Sequence, residues 1–416
     1  MAETNWSGNY AYRAPKTVSP TSVGELQELV RDSDRVKVLA TRHSFNDMAE
    51  TSGTLVRLIE LPREIDLDEE ARIVRVPGQL RYGDLALALE ARGWAVANLA
   101  SLPHISVAGA VQTGTHGSGN GNGSLATAVT AIEFIDGLGE LRRLSRDDDP
   151  DVFPGAVVGL GALGIVVTLT LAIEPSFTVR QNVFENLPWE ALAEHFDEIT
   201  SLGYSVSSFT DWASPTVEQL WVKRRSGDED LPADVFGARP ATRERHPLPE
   251  LSAENCTPQL GVAGPWHERL PHFRLEFTPS AGEELQTEYF LPRERVAEAI
   301  DVVRGLGSLI QPLLFVSEIR TIRADDLWLS PEQGRDTVAF HFTWHRDEPA
   351  VLAVLPQLEA ALASFGARVH WGKVFTLPAT EIASTYERMP NFLALRDRFD
   401  PHRVFENEYL TRVLAS

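Results

Sequence analysis

Residues 101–126 read SLPHISVAGAVQTGTHGSGNGNGSLA, and six of these 26 positions are glycine, with Ala108, Ala110 and Ala126 adding side chains scarcely larger. Glycine reaches backbone angles that other residues avoid and lets a ligand approach the main chain closely. Successive amide N–H groups in such a run form a concave anion site, suited to a pyrophosphate. The same composition also describes a flexible linker. Ile105, Val107 and Val111, spaced by two and four, argue for ordered backbone, so the stretch is read as a phosphate-cradling loop. It contains neither GxGxxG nor GxxxxGK[ST], so it is neither a Rossmann turn nor a P-loop.

The whole chain bounds the class. Its 416 residues leave room for two or three domains with substantial cores. An apolar content of 43% and a charged content of 23% are those of a globular protein in water. A net charge of −21 repels nucleic acid and anionic membrane surfaces, but not a neutral small molecule. The single cysteine, Cys256, excludes a disulfide framework, an iron–sulfur cluster and a zinc knuckle. No basic-then-apolar leader and no apolar window of membrane length occur. The expectation is a cytoplasmic enzyme, taken as a monomer by default.

Upstream of the glycine-rich stretch, Ser22 and Glu25 have capping-box spacing and open a helix to about Val30. Val36–Ala40 reads as a buried strand leading into the turn Thr41–Asn46, and Leu55–Ile59 and Ile73–Val76 as further strands. Tyr82–Arg92 is apolar at 82, 85, 86 and 89, a helical period. Strands Ala131–Ile135, Leu141–Leu144 and Ile165–Ile173 follow with no βαβ rhythm, so the fold class is α+β. Beyond Phe177 tryptophans and histidines cluster, and Gly227–Glu254, rich in proline and charge, is expected to be a surface excursion. Helices Arg293–Leu306 and Pro349–Phe365 bracket strands Phe315–Thr321 and Val338–Trp344, the order of a sheet covered by helices on one face.

Residues two apart on a strand share a face. Glu318 and Arg320 therefore point together, with Val316, while Ile319 packs behind; His341 and Thr343 share a face, with Phe342 on the other. Lys373 follows a glycine-permitted turn at His370–Gly372. An acid, a guanidinium, an imidazole, a hydroxyl and an amine form a set able to bind a polyhydroxylated substrate. Taken alone, Glu318 with Arg320 reads as a surface ion pair worth about 0–1 kcal/mol, and His341 as a structural histidine. No HExxH or comparable spacing occurs, so no metal site is expected. GxSxG is also absent, which removes the usual serine hydrolase.

Six segments carry a resemblance: RHSFN (42–46), ASLPHISVAG (100–109), TGTHG (113–117), EIR (318–320), HFTW (341–344) and HWGK (370–373). In order, they resemble the polyol-oxidising branch of the vanillyl-alcohol-oxidase flavoprotein family. The likeness runs from Thr4-Asn-Trp6 to Val404–Leu414. It implies a two-domain FAD-binding (vanillyl-alcohol-oxidase/PCMH-type) α+β fold with a sheet-plus-helices substrate domain. Residues 1–178 would form the FAD-binding domain, 179–367 the substrate-binding cap, and 368–416 would complete the FAD domain and the active site.

By that resemblance FAD is linked covalently through His43. The other cofactor contacts fall on Thr41, Arg42, Ser44, Phe45, Asn46, Ser101, Ser106, Gly109, Thr113, Gly114, Thr115, His116, Val166 and His370. Polyol contacts fall on Ser101, Glu318, Arg320, His341, Thr343 and Lys373, with Arg320, Lys373 and Glu318 catalytic. The implied reaction oxidises the terminal primary hydroxyl of an alditol (xylitol, sorbitol or glycerol) to the aldose, while O2 becomes H2O2. Lys373 either stabilises the developing alkoxide with Arg320 or acts as the base. Ala100 occupies the region thought to gate oxygen, which leaves oxidase and dehydrogenase both open. A sugar-lactone oxidase or dehydrogenase is the nearest alternative, and a carbohydrate-binding protein without activity the more distant one.

Overall fold

Ser22 caps helix α1 (Val23–Arg31) by accepting a hydrogen bond from Glu25 N at 3.2 Å. Glu25 Oε2 returns the bond to Thr21 N at 2.7 Å, one residue before the position a capping box uses. This helix joins strands β1 (Lys16–Val18) and β2 (Val36–Val38), which flank β3 (Thr54–Val56) in a small parallel sheet. The structure, a computed structural model, describes residues 3–232, 234–277 and 283–414.

A second, antiparallel sheet holds β4 (Asp66–Asp68), β5 (Ile73–Pro77), β6 (Val129–Ile135), β7 (Leu141–Ser145) and β8 (Ile165–Ala172), in the order β4-β5-β8-β6-β7. Helix α2 (Tyr82–Glu90) buries Tyr82, Leu85, Ala86 and Leu89 in one core with Val74, Val76 and Leu169, as its apolar period predicts. The glycine-rich stretch is not loop throughout. Its first part forms a short helix, α3 (Val107–Gln112), with Ser106 as N-cap.

The large sheet holds β9 (Thr178–Pro188), β10 (Ser205–Thr210), β11 (Thr216–Arg225), β12 (Glu284–Pro292), β13 (Leu314–Ile322), β14 (Thr337–His345) and β15 (Arg368–Val369). Its antiparallel order is β9-β11-β10-β13-β14-β12-β15, and two short strands, Arg239–Pro240 and Gly264–Pro265, pair with β9. Helices α4 (Val296–Gly305) and α5 (Glu348–Leu362) cover one face. Ile300, Val303, Leu355 and Leu358 pack there with Ile319, Phe340 and Phe342 from the strands. Alternation therefore turns Glu318, Arg320, His341 and Thr343 to the opposite face.

The chain then returns. Trp371 and helices α6 (Met389–Phe399) and α7 (Glu408–Val413) bury Phe392, Leu395, Tyr409 and Leu410 in the same core as α2. Between these two moves the segment after β15 runs beside β12, with His370 N donating to Glu288 O at 3.1 Å and Val374 N to Gln286 O at 2.9 Å. That pairing carries Lys373 to the polar face of the large sheet.

Candidate active site

A cavity of about 730 Å³ lies between the glycine-rich stretch and the polar face of the large sheet. Its first wall is the turn at 41–46. Arg42 adopts a left-handed conformation, φ 65°, which for a residue other than glycine costs about 1–3 kcal/mol and persists only where surroundings hold it. Trp6 N donates to Arg42 O at 2.8 Å, and the Trp6 ring stacks on His43 at 5.5 Å. Buried Nδ1 of His43 has no hydrogen-bond partner. Burial, with His104 and Arg42 nearby, pushes the His43 imidazole down to about 4, so the ring is neutral at neutral pH. Phe45 N donates to Gly372 O at 2.8 Å, which ties the turn to the segment bearing Lys373.

Ser106, Ala108, Gly109, Ala110, Thr113, Thr115 and His116 continue this wall. Ser106 N donates to Thr41 Oγ1 at 3.2 Å, and Ser106 Oγ accepts from Gly109 N at 3.3 Å. Thr115 Oγ1 lies 3.4 Å from His370 Nε2. Val166, Gly161 and Gly164 line the far end. Gly159, Gly161 and Gly164 have GxGxxG spacing, but they lead into strand β8 and not into a helix.

The glycine-dense half of the stretch, 117–123, stays out of the wall. Gly119 N donates to Thr321 O at 2.8 Å, and a Cβ on Gly119 would stand 2.2 Å from Tyr204 O. Gly117, Gly119 and Gly123 serve close packing of one segment against another, whereas Gly121 faces open space. Asn46 and Gly114 also lie off the wall. Asn46 Nδ2 donates to Trp371 O at 2.8 Å and Lys373 O at 2.9 Å, and Gly114 makes a left-handed turn, φ 65°. Every other residue singled out in the sequence for cofactor or polyol lines the cavity.

The opposite wall is a buried charge network centred on Glu288, which the sequence reading did not single out. In register, Glu288 sits beside His341, which sits beside Glu318. Glu288 Oε1 is 2.6 Å from Arg320 Nη2 and 3.3 Å from His116 Nε2; Oε2 is 2.7 Å from Lys373 Nζ. Lys373 Nζ also donates to His341 Nδ1 at 2.6 Å, and His341 Nε2 lies 3.0 Å from Thr343 Oγ1. Arg320 Nε stands 3.6 Å from Glu318 Oε2, and its Nη1 donates to Ser101 Oγ at 3.3 Å. Glu318 and Arg320 are thus buried and not a surface pair, each 5% exposed.

Burial works against both carboxyls, yet Lys373, Arg320 and His116 hold Glu288 well below the usual carboxylate range, and Arg320 and His272 do the same for Glu318. Burial lowers the Lys373 amine below an ordinary lysine, against the pull of Glu288. Burial and the Lys373 charge bring His341 down to about 4. His272 is the second residue missed; its Nε2 lies 2.8 Å from Glu318 Oε1. The expected surface excursion at 227–254 also differs, because His246, Pro247, Leu248 and Leu251 fold back to line the cavity.

Comparison with known proteins gives this arrangement a lineage. Residues 14–145 match the FAD binding domain family and residues 283–413 the D-arabinono-1,4-lactone oxidase family. The alditol oxidase of a Streptomyces species is 49% identical over 99% of either chain. The chain belongs to the vanillyl-alcohol-oxidase family of flavoproteins. More distant relatives of this flavoenzyme are the L-gulono-1,4-lactone dehydrogenase of Mycobacterium tuberculosis, 29% identical over 99% of either chain, and the L-gulonolactone oxidase of Mus musculus. The latter is 26% identical over 98% of this chain and 97% of its own. Cholesterol oxidase from B. sterolicum shares the fold, with a TM-score of 0.78 at 14% identity over 99% of this chain and 96% of its own.

The flavoenzyme is an FAD-dependent oxidoreductase, and its residues fit the cofactor. Gly78, Ala108, Gly109 and Ala110 line the cavity with little or no side chain, which leaves room for a ligand close to the main chain. An orphaned, buried, neutral imidazole at His43 opens onto the same cavity. No helix among the described residues is long and apolar enough to cross a membrane.

Proposed function

We propose that the chain oxidises the terminal primary hydroxyl of an alditol (xylitol, sorbitol or glycerol) to the aldose, with O2 reduced to H2O2. The observation that carries this reading is the charge balance of the polar wall. Two carboxylates, Glu288 and Glu318, face two cations, Arg320 and Lys373, all buried. A neutral, hydroxyl-rich ligand brings no net charge to desolvate there, and its hydroxyls find both donors and acceptors. The alditol oxidase relative supports the same substrate class. On this reading residues 1–178 with 368–416 hold FAD, and residues 179–367 form the cap that holds the polyol. A net charge of −21 and a lone cysteine support a cytoplasmic setting.

FAD, when bound, supplies the acceptor that takes hydride from the alcohol carbon and passes the electrons to O2. His43 would hold the cofactor covalently through a ring nitrogen, a reading that its neutral ring and unpartnered Nδ1 support. Lys373 gives one hydrogen to Glu288 Oε2 and one to His341 Nδ1. Its third position is left for the cavity, and the ammonium and the neutral amine differ only there. Burial lowers this amine below an ordinary lysine, so the fraction of Lys373 that is neutral takes the alcohol proton at Nζ and returns to the ammonium that Glu288 balances. Arg320, braced by Glu288 and Ser101, stabilises charge developing on the oxygen. Glu318, Thr343 and Ser101 hold the neighbouring hydroxyls.

The match of residues 283–413 to D-arabinono-1,4-lactone oxidase favours a sugar lactone as the second reading. One assay separates them. With xylitol in air, the purified protein is expected to form aldose and H2O2 in equal amounts and to leave L-gulono-1,4-lactone almost untouched. Faster turnover of the lactone contradicts the proposal. Acid precipitation is expected to give a yellow pellet, and a colourless one for His43→Ala; yellow pellets from both remove His43 as the attachment point.

A further inference from the structure

One buried cation takes no part in the chemistry above. Lys223, on β11, is 1% exposed and lies on the same face of the sheet as Arg320, opposite Ser205 of the intervening strand β10. Its Nζ is 2.6 Å from Leu270 O, 3.2 Å from Pro271 O and 3.0 Å from His272 Nδ1. An ammonium has three hydrogens and accepts none. Burial lowers the Lys223 amine to about 7, and its ammonium form fits all three contacts; with the Glu318 carboxylate accepting at Nε2, Nδ1 is the unprotonated nitrogen of the neutral His272 ring. Burial, together with the Lys223 charge, holds His272 at about 4, so the neutral ring carries its one proton on Nε2. That proton is donated to Glu318 Oε1 across 2.8 Å.

The ring has little freedom to do otherwise. Phe209 and Trp221 flank it edge-on, with ring centres at 5.5 Å and 5.3 Å. Its main-chain N–H donates to Ser101 O at 3.1 Å, which fixes the segment to the glycine-rich stretch. The effect falls on Glu318. Arg320 Nε is buried without a hydrogen-bond partner, 3.6 Å from Glu318 Oε2. A carboxylate released from His272 is free to turn and pair with that guanidinium, which removes an acceptor from the cavity.

We propose that Lys223 and His272 are positioning residues for the polyol: Lys223 fixes the tautomer of His272, and His272 pins one oxygen of Glu318 so that the other faces a substrate hydroxyl. The proposal rests on the polyol reading of this site. Loss of a hydrogen bond to a charged group corresponds to about tenfold or more in binding. Lys223→Met and His272→Leu are therefore each expected to raise KM for xylitol about tenfold, with kcat and the flavin spectrum nearly unchanged. His272→Gln accepts from Lys223 and donates to Glu318, and is expected to restore KM to within about threefold of the parent. On a Glu318→Gln background, Lys223→Met is expected to add less than about twofold.

A His272→Gln no better than His272→Leu, or a Lys223→Met effect that persists undiminished on the Glu318→Gln background, overturns the relay. If Lys223→Met does not fold, the two His272 variants decide the question. A parent protein that leaves xylitol unoxidised sinks the substrate reading and not the relay. In that case the tautomer decides: in holoprotein labelled with 15N-histidine, the resonance missing from His272→Gln is expected to show Nδ1 unprotonated, and a protonated Nδ1 overturns the proposal for any substrate.

Discussion

On the wall formed by residues 41–45 and 106–113, small side chains at Ala108, Gly109 and Ala110 and the cap at Ser106 leave room at the surface of the cavity; on the wall formed by β12, β13 and β14, long charged side chains cover it. The first wall is made from neighbours in sequence: Ser106 caps the helix that follows it, and Arg42 orients the residue beside it. The second is made from residues far apart, such as Glu288, Arg320 and Lys373, which meet only through strand register. Their energetics differ as well. Capping bonds help the fold by about 0.5–2 kcal/mol each. Buried ion pairs roughly break even against their desolvation, but removing one partner costs about 3–5 kcal/mol. On the proposed reading, the wall of long charged side chains is kept for chemistry and the wall of small ones for shape.

Variants on each wall test that contrast. Lys373→Met is expected to have the largest effect, slowing flavin reduction by xylitol about 10³-fold, the scale of a lost proton acceptor. Its FAD content is expected to stay at the parent level, and stopped-flow traces with unchanged reduction kinetics would remove Lys373 from the mechanism. Glu288→Gln leaves Arg320 and Lys373 without their shared counter-ion. A loss of about 10²-fold in kcat/KM is expected, again with FAD retained; an effect confined to FAD binding would make the two walls one.

The pH dependence comes next. If the neutral amine of Lys373 is the working form, kcat/KM climbs about tenfold per pH unit below its pKa and levels off above it. Because burial lowers this amine, the plateau begins below the ordinary lysine value of about 10.4. A rate that falls as pH rises would assign Lys373 the ammonium role instead. The smallest effects belong to the glycines. Gly119 sits at φ 132° with no room for a Cβ, so Gly119→Ala is expected to lower Tm by several degrees while the folded protein keeps its FAD. Gly109, whose added Cβ would meet only Ser106 Oγ, 2.7 Å away, is expected to show the reverse: a folded protein that holds FAD weakly.

The same contrast explains what the sequence revealed. The turn at 41–46 and the stretch 101–116 were legible because local composition and capping specify them. Glu318, Arg320, His341 and Thr343 were legible as pairs, since period-two alternation fixes a face. Glu288 was missed although the alternation of Glu284, Gln286 and Glu288 with Leu285, Thr287 and Tyr289 marks a strand. Only its pairing with His341 in β14 shows that it is the hub. His272 lies outside any helix or strand, where no periodicity exists to place it. Gly117, Gly119 and Gly123 lie off the cavity: composition reports close approach without saying whether a ligand or another chain segment approaches.

The most direct test of the account is anaerobic. Holoprotein mixed with xylitol in the absence of O2, and followed at the long-wavelength flavin absorbance, is expected to bleach fully with one equivalent of aldose formed per flavin. A flavin that stays yellow with xylitol, or that bleaches only with a sugar lactone, contradicts the claim that this charge-balanced wall presents an alditol to FAD.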